Sequence, residues 1–381
     1  VTSFIEGVGM VKVERHYEKG LFDLAAEAAF SAIDQAGGAS GIDYIIASNA
    51  LGEVQDEQLD LGGYLASELG LRGVRSLRVE AGEASGLAAL AIANSLIESN
   101  MADRVLVVGV EKVTEFQSAK VYRHLQMLFN SNSRSFYNAG FAADAGLLTR
   151  VYLDTYDVDR ELLSYWPALM HSNAKENPYA MLNFALKPDK VSKSQVMADP
   201  VTLLDTFPLG DGAAALVLSS KDSVNNPLAK VSAIESATGL GSMELSDDPL
   251  TIDSLTEAYR RLQNVTSFES VDVIELHDSF TIMGVLTLET LGLAPKGKAP
   301  ELIANGAFSI NGRGPVVNPS GGLKARGHPI GATGVYQAAE VALQVAGRFP
   351  GLQVRGAKRG LAISMNGLGS NSYVALMEGV E

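Results

Sequence analysis

Hydrophobic positions along the chain switch between two periods. Phe4 to Val13 reads as a strand. Leu21 to Gln35 is apolar on one face at helical spacing and is stopped by Gly37-Gly38. Ile42 to Ala47 is a short apolar strand, Leu59 to Leu69 a helix, Val74 to Val79 a strand, and Ser85 to Ser99 a helix rich in small residues. Val105 to Val110 is apolar without interruption, as in a strand buried on both faces. Strand and helix in turn predict crossover connections, a largely parallel sheet and an α/β fold class.

The rhythm breaks over 112–200, where aromatic residues such as Tyr122, Phe129, Tyr152, Tyr156, Tyr165 and Trp166 accumulate. This stretch reads as an insertion of helices and loops covering one face of the first sheet. Regular structure returns at Gly210 to Leu218. Then come helices at Leu255 to Leu262, Ile282 to Leu291 and Val335 to Val345, and strands at Val271 to Leu276, Gly360 to Ser364 and Tyr373 to Met377. GIDYIIASNA, from Gly41, and SVDVIELHDS, from Ser270, both close an Ile/Val strand with a polar cluster. The same offset carries Ser85 to within a few residues of Ser320. The pattern predicts two similar halves, residues 1–220 (insertion about 112–200 included) and 221–381, whose strand-end loops converge on one site.

Composition narrows the possibilities. The 381 residues carry a net charge of −14, which argues against a nucleic-acid or anionic-membrane partner. No apolar run reaches the length of a membrane span, and the first residues read as a strand rather than a leader, so a cytoplasmic protein is expected. Cysteine is absent, which excludes disulfides, thiolate metal sites and cysteine nucleophiles. The five histidines show no i,i+4 pairing, and no metal site is expected.

Four loops have a composition suited to chemistry. NPSGGLKARGHPIGATGVYQ, Asn318 to Gln337, puts His328 on a glycine-permitted turn just before a helix start. Free N–H groups and the positive dipole end there suit polarising a carbonyl; the plainer alternative is a solvated histidine in a tight loop. VEAGEASGLAAL, Val79 to Leu90, is an elbow between strand and helix that presents Glu83. ELHDSFT, Glu275 to Thr281, ends a strand with His277, Asp278 and Ser279. ISMNGLGS, Ile363 to Ser370, brings Asn366, Gly367 and Gly369 into a glycine loop, which is either a plain turn or a cradle of N–H groups.

GGLKARGHPIGATG resembles the Gly-His-Pro loop of the thiolase superfamily, enzymes that make or break carbon–carbon bonds beside a coenzyme A thioester. ELHDSFT is similar to the His-Asp-x-Phe loop of its sterol-carrier-type and archaeal members. HSNAKENPYA, from His171, and LDTFPLGDGAAA, from Leu204, extend the likeness, which runs from about residue 4 to 379. The resemblance implies a thiolase fold, two similar βαβαβαββ halves in α-β-α-β-α layers. It also implies acyl-CoA or coenzyme A as ligand with no permanently bound cofactor, a homodimer or dimer of dimers, and a small OB-fold or zinc-ribbon protein as a possible partner.

By the same resemblance, Glu83 stands where the family keeps its nucleophilic cysteine, and the second cysteine, near Ser364 to Asn366, is also missing. His277 and His328 become an oxyanion pair for a thioester enolate. Ser279 takes the place of an acid/base cysteine, and Asp278 orients neighbouring loops. Gly367 and Gly369, with the Glu83 N–H, offer a second oxyanion hole beside Asn366. Glu83 is open to four roles: capping residue, electrostatic element, general acid or base, or covalent nucleophile. Trp166, Met170 and Tyr165 line a channel or simply fill the core. Arg123, Arg134, Lys112 and Lys120 are candidates for phosphate contacts. Three functions follow: an enolate-type decarboxylation or retro-aldol reaction without an acyl-cysteine; a silent subunit that binds coenzyme A or a partner protein; or acetyl-CoA acetyltransfer, disfavoured because nothing here replaces the thiolate.

Overall fold

The computed structural model describes residues 2–131, 140–221, 223–240, 246–267 and 270–380. The first half contributes strands β1 (Ser3–Met10), β2 (Tyr44–Ser48), β3 (Arg75–Val79) and β4 (Arg104–Glu111). A separate small pair, β5 (Val196–Ala198) and β6 (Val201–Thr202), precedes β7 (Gly212–Ser220). The second half contributes β8 (Ala229–Thr238), β9 (Val273–Glu275), β10 (Val316–Val317), β11 (Arg359–Asn366) and β12 (Asn371–Gly379).

Ten of these strands form one sheet in the order β10-β9-β11-β12-β8-β1-β7-β4-β2-β3. Read outward from the β1–β8 junction, the two sets of five follow the same chain order. In each, the strand after the first crossover pairs in parallel with its neighbours on both sides, β2 with β3 and β4, β9 with β10 and β11. The remaining pairs, including β1 with β8, are antiparallel. The sheet is therefore mixed rather than largely parallel. β8 escapes the hydrophobic pattern because most of its positions are only half-buried and carry Lys, Ser and Glu among the apolar residues.

Strand alternation sorts side chains into layers. On β4, Val105 and Val107 face a central core while Leu106, Val108 and Val110 face an outer one; on β7, Leu216 and Leu218 oppose Ala215 and Val217. Helices Ser85–Glu98 and Thr333–Val345 fill the central layer between the two sheet halves. Leu21–Gln35 covers the outer face of the first half, and Asp253–Val265 and Thr281–Thr290 that of the second. This is the thiolase layering. At the crossing of the central helices, a Cβ on Gly86 would lie 2.5 Å from the Val335 nitrogen, and one on Gly334 2.4 Å from the Leu87 nitrogen. The two backbones touch where only glycine fits.

The insertion packs differently from expectation. Its helices Phe141–Tyr156 and Tyr165–Ala174 share a core with Met283, Leu286 and Leu288 of the second half, rather than capping the first sheet. Trp166 lies against Gly284, and the Tyr152 hydroxyl donates to Glu289 Oε1 at 2.6 Å. Large apolar faces on both sides decide this docking.

Candidate active site

The four loops meet at one buried point. Glu83 is reached by a sharp turn in which Gly82 adopts φ +60, with its Cα side closed by the Asn366 carboxamide. Helix Ser85–Glu98 begins immediately after it, and Thr333–Val345 begins shortly after His328. The Gly86–Gly334 contact brings these two helix starts together, and with them the residues that precede each one.

Glu83, His277, Ser279 and His328 are completely buried. Glu83 Oε1 lies 2.9 Å from His328 Nε2, and Glu83 Oε2 lies 4.0 Å from His277 Nε2. The imidazole centroids are 5.4 Å apart with planes at 89°. His328 Nδ1 lies 2.7 Å from Thr333 Oγ1, and the Phe207 ring stands edge-on to the imidazole at 4.8 Å. Both rings of His328 and Phe207 thus fix each other. Neither nitrogen of His277 has a hydrogen-bond partner, nor does Ser279 Oγ.

Burial sets the charges. It raises the Glu83 carboxyl above the ordinary carboxylate value, opposed by the charge on His277 and by the Gly367 N–H. It pushes His277 down to about 3 and His328 well below its ordinary value, with Arg326 acting in the same direction on both. On all three groups burial favours the neutral form over the charged one.

The expected second oxyanion hole is not open. The Gly367 N–H donates to Glu83 Oε2 at 2.7 Å, the Glu83 N–H donates to Asn366 Oδ1 at 3.1 Å, and the Gly369 N–H donates to the Asn366 carbonyl at 3.0 Å. The Glu83 side chain takes the Gly367 N–H, and Asn366 takes the other two. Asn366 acts as the clamp, its Nδ2 held by the Leu128 carbonyl at 2.8 Å.

The residues proposed for ligand contact lie elsewhere. Trp166 and Met170 are core residues; the Trp166 indole N–H donates to Asp278 Oδ2 at 3.0 Å. Asp278 also accepts from the Leu323 N–H at 2.7 Å, tying the insertion to the Gly-His-Pro loop. Lys112 is buried in a structural ion pair with Asp211 and donates to the His16 carbonyl at 2.6 Å, so it offers nothing to a phosphate. Tyr165 and Arg123 are exposed, Lys120 lies over the Phe116 ring, and Arg134 falls outside the described residues. A cavity of about 430 Å³ does adjoin the site behind Phe207, with Phe141, Phe280, Leu125, Met181 and Arg15 in its walls. Phe207 lies in the LDTFPLGDGAAA segment without being singled out there, and Arg15 belongs to no motif, so the sequence marks neither. Among the described residues, Glu83, His277 and His328 also form a group whose ligand-type atoms all lie within 4.8 Å of one another, although they come from three separate loops that a spacing rule does not connect.

Comparison with known proteins places this geometry in context. The model of the thiolase N-terminal domain matches residues 9–222, and that of the thiolase C-terminal domain-like family matches 250–379. An acetyl-CoA acetyltransferase of Methanothermobacter thermautotrophicus is 33% identical over 374 residues, 97% of each chain. Sterol carrier protein 2 of Gallus gallus is 31% identical over 405 residues, covering 98% of this chain and 71% of the relative. Among solved structures, the Ltp2-ChsH2(DUF35) aldolase superposes with a TM-score of 0.84 at 19% identity over 99% of this chain and 98% of its own. Human mitochondrial 3-ketoacyl-CoA thiolase in complex with CoA gives a TM-score of 0.76 at 16% identity over 100% and 98%. No helix among the described residues is long and apolar enough to cross a membrane.

Proposed function

Starting from a chain that belongs to the thiolase superfamily, we propose that it binds acyl-CoA thioesters and cleaves a carbon–carbon bond through a thioester enolate, with no acyl-cysteine. The observation that carries this reading is the pair of buried neutral imidazoles, 5.4 Å apart, converging on the Glu83 carboxyl. The thioester oxygen takes the place on His328 Nε2 that Glu83 Oε1 now holds, and His277, which has no other partner, supplies the second N–H. Two preorganised donors in a dry site are worth about 3 kcal/mol each toward a developing oxyanion.

Two reactions share that enolate. In decarboxylation of a malonyl-type thioester, the bond from the α-carbon to the carboxylate breaks, carbon dioxide leaves, and the electron pair moves onto the thioester oxygen. The enolate carbon then takes a proton from Glu83. In retro-aldol cleavage, the ionised form of Glu83 takes the β-hydroxyl proton, a carbonyl compound departs with the electron pair moving onto the thioester oxygen, and the same proton returns from Glu83 to the enolate carbon. Burial raises the Glu83 carboxyl above its ordinary value, which favours the proton-bearing form that the decarboxylation uses.

A second reading has its own support. Glu83 already satisfies Gly367 and His328, so the site is filled by the chain itself. That favours a silent subunit holding coenzyme A or a small OB-fold or zinc-ribbon partner; a DUF35 protein accompanies the aldolase neighbour named above. Acetyltransfer, the activity of the archaeal relative's name, lacks a nucleophile here. A homodimer is part of the proposal, to be checked by light scattering.

The test is calorimetric titration with coenzyme A, acetyl-CoA and a non-hydrolysable malonyl-CoA analogue on the wild type and on Glu83→Ala. It is followed by assays of malonyl-CoA decarboxylation and of 3-hydroxyacyl-CoA cleavage. Thioester binding altered by the substitution, with turnover in one assay, is expected. Binding without turnover supports the silent subunit. Absence of binding to every thioester removes the coenzyme A reading for the isolated chain.

A further inference from the structure

We infer that Glu83, His277 and His328 form a binding site for a single divalent transition-metal ion of the zinc class. The three donors are two imidazole nitrogens and one carboxylate oxygen, a set that suits zinc, iron(II) and cobalt(II) and ill suits magnesium or calcium, which prefer all-oxygen shells. Their spacing fits. An ion with bonds of about 2.1 Å at tetrahedral angles holds its ligand atoms about 3.4 Å apart. His328 Nε2 and Glu83 Oε1 lie 2.9 Å apart, a little inside that value, and His277 Nε2 lies 4.0 Å from the other carboxylate oxygen, Oε2. All three ligand atoms lie within 4.8 Å of one another.

A second, independent observation is the state of His277. It is completely buried, yet neither ring nitrogen has a partner. A buried imidazole left this way is missing something to bond, and the group at hand is the one it forms with Glu83 and His328. The outer contacts are those that orient metal ligands. His328 Nδ1 rests on Thr333 Oγ1 at 2.7 Å, which directs Nε2 inward, and Gly367 N–H holds Glu83 Oε2 at 2.7 Å, which leaves Oε1 to the ion. The nearby guanidinium of Arg326 has its own counter-charge in Glu340 at 3.0 Å. The fourth position is left to water or to a substrate oxygen.

This site and the imidazole oxyanion pair use the same Nε2 atoms, so ion and thioester compete for them. The inference stands or falls apart from the enolate reading, because ion binding is measured without any thioester.

The experiment is titration of the chelator-treated full chain with cobalt(II), read by its visible absorption, with zinc(II) in competition and metal content measured by mass spectrometry. One equivalent of cobalt is expected, with the intense bands of a four- or five-coordinate ion, displaced by zinc. His277→Ala and Glu83→Gln, shown folded by circular dichroism, abolish it. Thr333→Val, which leaves all three ligands in place, weakens it about 10-fold, while His124→Gln, on helix Ser118–Leu125 and outside this group, leaves it unchanged. No bound cobalt in the wild type, or one equivalent retained in both His277→Ala and Glu83→Gln, overturns the assignment. Should either of those variants fail to fold, the Thr333→Val affinity decides: an unchanged value counts against the site.

Discussion

Glu111 and Glu83 are both completely buried, and both reach across to the loop that carries His328. They are built differently. Four donors converge on Glu111: the N–H groups of Ala50 and Gly331 on Oε2, and the Leu51 N–H with Asn49 Nδ2 on Oε1, all between 2.9 and 3.0 Å. Glu83 has one backbone donor and one imidazole, with a second imidazole waiting at 4.0 Å. The first carboxylate is a rivet, since each of its oxygens accepts two N–H groups, three of the four from the backbone. The second is left with partners that change their bonding when a ligand arrives. Burial alone does not mark a reactive acid; the number and kind of its donors do.

The contrast can be broken at either end. Glu111→Ala strands four buried donors and should cost about 4 kcal/mol of stability, read as a shift in the urea unfolding midpoint. A loss below about 1 kcal/mol would show that the rivet reading is wrong. The histidines extend the same contrast. His171, buried and bonded through Nδ1 to the Phe184 carbonyl, is pushed down to about 4 by burial and by Lys324. Its folded value lies below its unfolded value near 6.5, so its stabilisation is present above 6.5 and lost as pH falls through about 4. The loss amounts to at most about 3 kcal/mol. His171→Gln should flatten the acid limb of the stability–pH curve by one proton, and an unchanged slope would place the titration elsewhere.

At the reactive end, His277→Ala or His328→Ala should slow deuterium exchange at the α-carbon of a bound thioester on the order of 100-fold, with a much smaller effect on thioester affinity. Equal losses in both would mean the imidazoles only bind. The smallest effect is on the fold of Glu83→Gln, which keeps the shape of the side chain and loses few donors. Its stability should stay within about 1 kcal/mol of wild type, in a chain where the matching change at Glu111 would not be tolerated so easily.

Much of this was readable in the sequence, and what was not has physical reasons. Period and composition marked helices at Ser85 to Ser99 and Val335 to Val345 and a strand at Val105 to Val110, close to the observed Ser85–Glu98, Thr333–Val345 and β4, because small and apolar residues dominate all three. The motif positions of Glu83, His277 and His328 were equally legible. The direction of the Glu83 side chain was not, since it depends on a contact between Gly86 and Gly334, far apart in the same chain, that neither glycine announces. The occupied amide of Gly367 was hidden for a similar reason: a backbone N–H has the same sequence whether it is free or taken. Trp166 and Met170 were open to a channel or a core role, because large apolar side chains serve cores and channels alike; they are core residues. The half-exposed β8 strand was missed because its alternation is blurred by polar residues on the covered face.

The glycine-to-glycine crossing has a mechanical consequence. Glu83 and His328 are separated by 245 positions in the chain, and no local turn sets their spacing. It is set by two helices resting backbone on backbone, a stop against which neither can advance. The 2.9 Å bond therefore works as a gauge of the whole joint. A slip of one helix along the other, from a bulkier residue at the crossing or a load applied from outside, registers at once as a widening gap between a proton and the atom meant to receive it.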